Sequence, residues 1–230
     1  MLVREIKRAL EEFAVVGRSF SQVEEKAQAL IAAVGAEANF ALEPGYKWAT
    51  CINKNEGIVH GIPGEQVIED GDLISIDMGI LWRGWNLDTS LSFVAGRATG
   101  EQEMFLAAGR KALARAIEAA SVGASVWDIS KAIEKVIVGA GYRPVFQLTG
   151  HGVGRRLHEE PMIPNLANRG DKKKLLYAGQ TLAIEVMYAM GNPYVVLDSD
   201  GWTYRTQDRS LTALFEETVV VGAAGGEILT

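Results

Sequence analysis

A chain of 230 residues that is 48% hydrophobic and 23% charged has the apolar content of an ordinary globular protein, enough to bury a substantial core, which excludes wholesale disorder. A formal net charge of −6 offers no general attraction to phosphate backbones, so no direct nucleic-acid function is expected. Cys51 is the only cysteine, no run approaches the roughly 18 apolar residues of a membrane span, and Arg4, Lys7, Arg8, Glu11 and Glu12 interrupt any signal-peptide core. A cytoplasmic, membrane-free setting is therefore the expectation.

In chain order, Leu2, Ile6, Leu10 and Phe13 recur at helical spacing. Val23, Ala27, Leu30 and Ile31 do so again behind the start signal Ser19-Phe20-Ser21-Gln22. Alternating apolar positions predict a strand over Asp72 to Ile80 and another from about Asn86 to Val94, with the turn near Trp82-Arg83-Gly84. Met104, Ala108, Leu113 and Ile117 mark a third helix. Ile129, Ile133, Val136 and Ile137 mark a fourth, entered through Ser125-Val126-Trp127-Asp128. Strands are expected over Thr181 to Met190, Trp202 to Arg205 and Ser210 to Val221, with Gly191-Asn192-Pro193 and Asp198 to Gly201 as turns.

The two halves rhyme. At one constant offset Gly17, Ser19, Ile31 and Gly35 fall on Gly123, Ser125, Ile137 and Gly141. At a nearly equal offset, the segment from Gly71 to Asp77 falls on Gly179 to Glu185, setting carboxylate on carboxylate. Chance alignment of two amphipathic strands is the competing explanation. Duplication predicts one α+β unit over residues 1–230 with a pseudo-twofold axis, and no Pro/Gly/Ser-rich linker argues for independent domains.

Asp77 and Asp88 sit inside otherwise apolar strand patterns, where an unpaired carboxylate is costly to bury. A hairpin turning midway between them, at Trp82 and Arg83, would oppose them directly on one face; taken alone, the pair reads better as solvated strand acids. Glu185 and Glu216 change that balance, because each closes a further apolar run, Thr181 to Ile184 and Leu211 to Phe215. With His151 inside Thr149-Gly150-His151-Gly152-Val153-Gly154 they supply oxygen and imidazole donors of the kind divalent transition metals accept. Four carboxylates exceed the needs of one ion and suit two, about 3.5 Å apart. The other histidines, His60 and His158, also stand in short segments rich in glycine or proline, Val59 to Pro63 and Arg156 to Pro161.

His60-Gly61-Ile62-Pro63, Asp70-Gly71-Asp72 with Ile76-Asp77, Leu87-Asp88-Thr89-Ser90, Thr149 to Gly154 and His158-Glu159-Glu160-Pro161 resemble motifs of the type I methionine aminopeptidases. Asp200-Gly201-Trp202-Thr203, Gln207-Asp208-Arg209-Ser210, Phe215-Glu216 and Gly226-Glu227-Ile228-Leu229 extend the resemblance to the end of the chain. It implies the pita-bread fold. It implies Asp77, Asp88, His151, Glu185 and Glu216 as ligands of two divalent ions, cobalt, manganese, iron or zinc, with Asp88 and Glu216 bridging. It further implies His60 and His158 as substrate-contacting catalytic histidines, Glu185 as manager of the proton of the attacking water, and Tyr46, Cys51, Met187 and Trp202 as pocket-lining residues. For Cys51 and Trp202 ordinary packing is an equal alternative.

The implied partner is the N-terminus of a peptide or nascent polypeptide, and a monomer is expected. Transient ribosome contact through Lys172-Lys173-Lys174 ranks behind a solvated loop. The chain departs from the family at Val186, usually proline, at Glu217, usually histidine and here expected to add charge beside Glu216, and at Leu157, usually aromatic. Its N-terminal region is shorter than usual. The rivals are an Xaa-Pro-directed pita-bread aminopeptidase, for whose extra N-terminal domain the roughly 44 residues before the matched region leave no room, and a non-catalytic peptide-binding or ribosome-associated relative.

Overall fold

Alternation dictates the architecture, because each long strand carries aliphatic side chains on one face and small or acidic ones on the other. The computed structural model describes residues 2–230, with the side chain of Leu2 and all of Met1 outside the described residues. The first half runs α1 (Leu2–Phe13), α2 (Phe20–Ala33), β1 (Glu37–Ala38), β2 (Thr50–Lys54), β3 (Gly57–Val59), β4 (Leu73–Trp82) and β5 (Trp85–Val94). The second runs α3 (Gly100–Ala119), α4 (Val126–Gly139), β6 (Arg143–Pro144), β7 (Thr149–Gly152), β8 (Glu159–Pro164) and β9 (Thr181–Ala189). It ends with β10 (Val195–Leu197), β11 (Tyr204–Thr206), β12 (Thr212–Val221) and β13 (Gly226–Ile228).

The principal sheet has ten antiparallel strands along the path β1-β4-β5-β12-β9-β7-β8, with β2, β13 and β6 on the flanks; β10, β11 and β3 form a small second sheet. Ile74, Ile76, Met78 and Ile80 of β4 pack against Ile6 and Leu10 of α1 and Val23 and Ala27 of α2. In the other half Leu182, Ile184, Val186 and Tyr188 of β9, with Phe215 of β12, pack against Phe105 and Ala112 of α3 and Ile129 and Ile133 of α4. Four helices thus cover one face of the sheet and leave the face bearing Asp77 and Glu216 for other use. No helix among the described residues is long and apolar enough to cross a membrane.

The repeat expected from the sequence is written into the backbone. Gly17 and Gly123 both adopt left-handed φ, 89° and 83°, and donate to the carbonyls of Ile68 and Leu176. Phe20 N–H donates to Gln66 O as Val126 N–H does to Lys174 O, and Gly71 N–H to Ala95 O as Gly179 N–H does to Val221 O. Ser19 and Ser125 are the N-caps of α2 and α4: Ser19 and Gln22 exchange reciprocal bonds, while the Asp128 carboxylate accepts from the Ser125 amide and hydroxyl.

Two local expectations are corrected. The β4–β5 hairpin turns at Arg83-Gly84, both at positive φ, and pairs Trp82 with Trp85, so Asp88 lies opposite Gly79 rather than Asp77. This is a two-residue turn whose twist matches the strands. Glu185 and Glu216 lie within β9 and β12, inside the strands expected over Thr181 to Met190 and Ser210 to Val221. The late strands begin at Tyr204 and Thr212, two residues after the expected starts at Trp202 and Ser210. Strands β2, β3, β7, β8 and β10 are too short, or too interrupted by glycine and proline, to announce themselves by period.

If the two caps play equivalent parts in the repeat, Ser19→Ala and Asp128→Ala each lower stability by about 1 kcal/mol. Urea unfolding of the two variants checks this, and a loss confined to one of them contradicts the equivalence.

Candidate metal centre

Strand register places the acids. Asp77 on β4 pairs with Ser90 on β5, Ser90 with Glu216 on β12, and Glu216 with Glu185 on β9. These four positions form one row across four strands. Asp88 lies two residues from Ser90, and His151 on β7 pairs with Ala183, two residues from Glu185, so both project from the same face as the row. Donor atoms of Asp88, His151 and Glu216 all fall within 4.8 Å of one another. His151 Nε2 lies 3.5 Å from Glu185 Oε1 and 3.7 Å from Asp88 Oδ2. Gly79, opposite Asp88, must be glycine: a Cβ there would lie 2.0 Å from Asn39 Oδ1.

The imidazole is aimed by its own backbone. His151 Nδ1 lies 2.8 Å from Gly152 O, which assigns the proton to Nδ1 as donor and leaves the Nε2 lone pair facing the carboxylates. Burial pushes His151 down to about 4, so it is neutral at pH 7. Burial, with the Asp88 charge next in importance, pushes Asp77, Glu185 and Glu216 well above the usual carboxylate range, and burial carries Asp88 to about 7.

Asp77 Oδ1, Asp88 Oδ1 and Glu216 Oε1 are buried without any hydrogen-bond partner, and among the described residues none of the four acids forms an ion pair with lysine or arginine. Buried acids left like this must either hold protons or face an external cation. Hard oxygen donors around one imidazole fit divalent transition metals.

Glu217 adds charge beside Glu216 as expected, as the last of the neighbouring acids that raise it, but does so from the opposite face of β12. Its carboxylate accepts from Lys7 Nζ at 2.6 Å and is joined by the hydroxyls of Thr89 and Thr230. Val186 is likewise a fully buried member of the helix-side core.

A cavity of 240 Å³ opens over the acids. Asp77, Asp88, His151, Glu185 and Glu216 stand at one end, and Phe40, Tyr46, Cys51, Leu157 and Trp202 form an apolar wall at the other. His60 and His158 border both, His60 held at a φ of 59° and His158 with its ring 4.5 Å from that of His151. Met187, grouped with the pocket by the sequence, does not line this cavity. It lies beyond the histidines in an adjoining cleft with Met162 and Thr149. Phe40, Glu43 and Pro44 line the cavity without having been singled out, because the short 3-10 turn at Phe40–Leu42 has no period to reveal its inward face.

Fold and site together define a metal-binding enzyme built on a duplicated α+β sheet. Residues 2–223 match metallopeptidase family M24. A methionine aminopeptidase of Aquifex aeolicus is 42% identical over 187 residues, which cover 80% of this chain and 72% of the relative. The solved methionine aminopeptidase of Thermotoga maritima superposes with a TM-score of 0.96 at 34% identity, covering 100% of this chain and 92% of that one. The prolidase of Pyrococcus furiosus gives 0.78 at 25% identity, covering 100% and 60%. The chain belongs to metallopeptidase family M24, with the pita-bread fold, and within that family to the methionine aminopeptidases.

The raised acids set the pH response of the metal-free protein. Asp88, near 3.8 when unfolded and about 7 when folded, keeps a proton in the native state that the unfolded chain has lost, so its contribution to stability falls as pH rises from about 4 to 7. His151 acts oppositely between about 4 and 6.5, but three further acids side with Asp88. Glu216→Gln should therefore raise the metal-free Tm at pH 8 by about 3 °C or more while reducing stabilisation by added Mn²⁺. Scanning calorimetry reads both quantities, and a lowered metal-free Tm contradicts the assignment.

Proposed function

We propose that this chain is a cytoplasmic methionine aminopeptidase that removes the N-terminal methionine from peptides and nascent polypeptides, acting as a single domain over residues 1–230. In this reading Asp77, Asp88, His151, Glu185 and Glu216 would hold two divalent ions. The observation that carries this is the convergence of four cation-free acids and a neutral imidazole at one end of a cavity whose other end is apolar. Cobalt, manganese, iron and zinc all suit these donors. When bound, such ions supply Lewis acidity and bring the pKa of a water towards neutrality.

The chain's own groups do the rest. We assign Glu185, whose carboxylate lies 3.5 Å from His151 Nε2 at the acidic end of the cavity, to take the proton of the attacking water and return it to the leaving amine. His60 and His158 are both pushed below the usual histidine value by burial, and for His60 next by His158. At pH 7 they are neutral, and each offers one N–H donor to charge developing on the carbonyl oxygen or departing nitrogen. Tyr46, Cys51 and Trp202 form an apolar and sulfur-bearing wall for an unbranched thioether. Met187 borders the adjoining cleft, which we assign to the peptide that leaves. The Xaa-Pro reading has the weaker support, because the prolidase likeness is 25% identical where the Aquifex aeolicus methionine aminopeptidase is 42% identical.

Chelation should abolish hydrolysis of Met-Ala peptides and metal reloading should restore it; full activity in a sample shown metal-free by elemental analysis contradicts the proposal. His158→Ala should lower kcat by roughly a hundredfold with metal content unchanged, whereas His151→Ala should lose metal. Equal metal content and unchanged rate in both variants would remove these roles. Met-Ala should be preferred over Leu-Ala by a modest factor, since apolar pockets discriminate such differences by about 1 to 3 kcal/mol. It should be preferred over Lys-Ala and over an Xaa-Pro peptide lacking methionine by a much larger one. A preference for Xaa-Pro would sink the methionine reading and leave the metal centre standing.

A further inference from the structure

The apolar wall is clamped from behind by a carboxylate that touches neither substrate nor metal. Glu24 lies on α2, is only 4% exposed, and forms no ion pair among the described residues. Its Oε1 accepts from Ala49 N–H at 2.7 Å and from Gln28 Nε2 at 2.7 Å; its Oε2 accepts from Thr50 N–H at 3.0 Å and from the Thr50 hydroxyl. All its acceptor capacity is directed at neutral donors, two of them consecutive backbone amides at the start of β2. A buried carboxylate is costly to desolvate, so three bonds from one short segment, with the fourth from Gln28 on the same helix, fix that segment strongly.

That segment is the cavity wall. Cys51 follows Thr50 directly and pairs with Asp77 across β2 and β4. Tyr46 donates its hydroxyl to Thr50 O at 2.8 Å and is also 3.2 Å from Gly61 O, and its ring packs edge-on against Trp48 and Trp202 at centroid distances of 5.1 and 5.0 Å. The path from Glu24 through Thr50 to Tyr46, Cys51 and Trp202 is continuous. Ala49 N–H and Thr50 N–H both donate to Glu24, which ties the start of β2 to α2.

We infer that Glu24 is a specificity-determining positioning residue, which holds Tyr46 and Cys51 in the geometry that separates an unbranched methionine side chain from a branched leucine one. The inference rests on the methionine reading above. Glu24→Gln is the informative change, because an amide must turn its NH₂ towards the donors of either Ala49 or Thr50, setting donor against donor in a buried site. Glu24→Asp keeps both acceptors on a shorter stem.

The test compares the parent with Glu24→Gln, Glu24→Asp and Thr50→Val, the last removing only the hydroxyl donor. Glu24→Gln should lower the ratio of kcat/KM for Met-Ala over Leu-Ala by roughly tenfold, mainly through KM for Met-Ala, with manganese affinity unchanged. Thr50→Val should lower it by roughly threefold, and Glu24→Asp should fall between the parent and Glu24→Gln. Because Cys51 is the sole cysteine, its rate of modification by a thiol reagent in the folded, metal-free protein reads the wall without substrate or metal. That rate should rise about tenfold in Glu24→Gln at a temperature well below its Tm. Equal rate losses on both peptides, or an unchanged Cys51 rate in the folded variants, overturns the inference. A parent enzyme without methionine preference overturns the functional reading instead, and the thiol measurement still decides whether Glu24 holds the wall.

Discussion

Four carboxylates, those of Asp77, Asp88, Glu185 and Glu216, are held on one sheet face around a single neutral imidazole, with no lysine or arginine paired to any of them among the described residues. Their mutual repulsion and lost hydration are costs that the metal-free fold must absorb elsewhere. It does so on the opposite face. Two helix pairs bury the aliphatic sides of β4, β9 and β12, where Ile74, Ile76, Leu182, Ile184 and Phe215 are almost fully enclosed. A stiff sheet with a large apolar back can carry an unfavourable front, as functional sites commonly require.

Duplication explains how the front is assembled. Each half delivers a strand with a mid-strand acid, Asp77 on β4 and Glu185 on β9, entered through the same left-handed glycine two residues ahead of the strand, Gly71 and Gly179. The strands beside them, β5 and β12, join the halves and place Glu216 between Ser90 and Glu185. The halves are not chemically equal. The row has serine at Ser90 where the other half has Glu216, and His151 enters from β7, which has no counterpart of equal role in the first half. The asymmetry leaves one end of the cavity ionic and the other, around Tyr46, Cys51 and Trp202, apolar.

What the sequence revealed depended on period. The helices, the long strands and the repeat were legible because 3.6- and 2-residue alternation persists over many residues, and the four acids because charge interrupts that alternation, whereas His151 stood out by its glycine-rich segment. The exact opposition of the acids was not legible, since moving a two-residue turn by one position changes every cross-strand partner. That is why Asp88 meets Gly79. The sidedness of Glu217 follows from the same alternation, since it is the next residue after Glu216 inside β12. Non-periodic pieces stayed hidden. Phe40 on a single 3-10 turn and Glu24, a charge on an otherwise ordinary amphipathic helix, carry no pattern that marks the surfaces they touch.

The central claim is that this one face binds two divalent ions through residues from both halves. Anomalous diffraction at the manganese edge from crystals of the manganese-loaded protein tests it directly. Two peaks are predicted, about 3.5 Å apart, lying among Asp77, Asp88, His151, Glu185 and Glu216. No peak at these residues, or ions bound at sites formed from one half alone, would contradict the account.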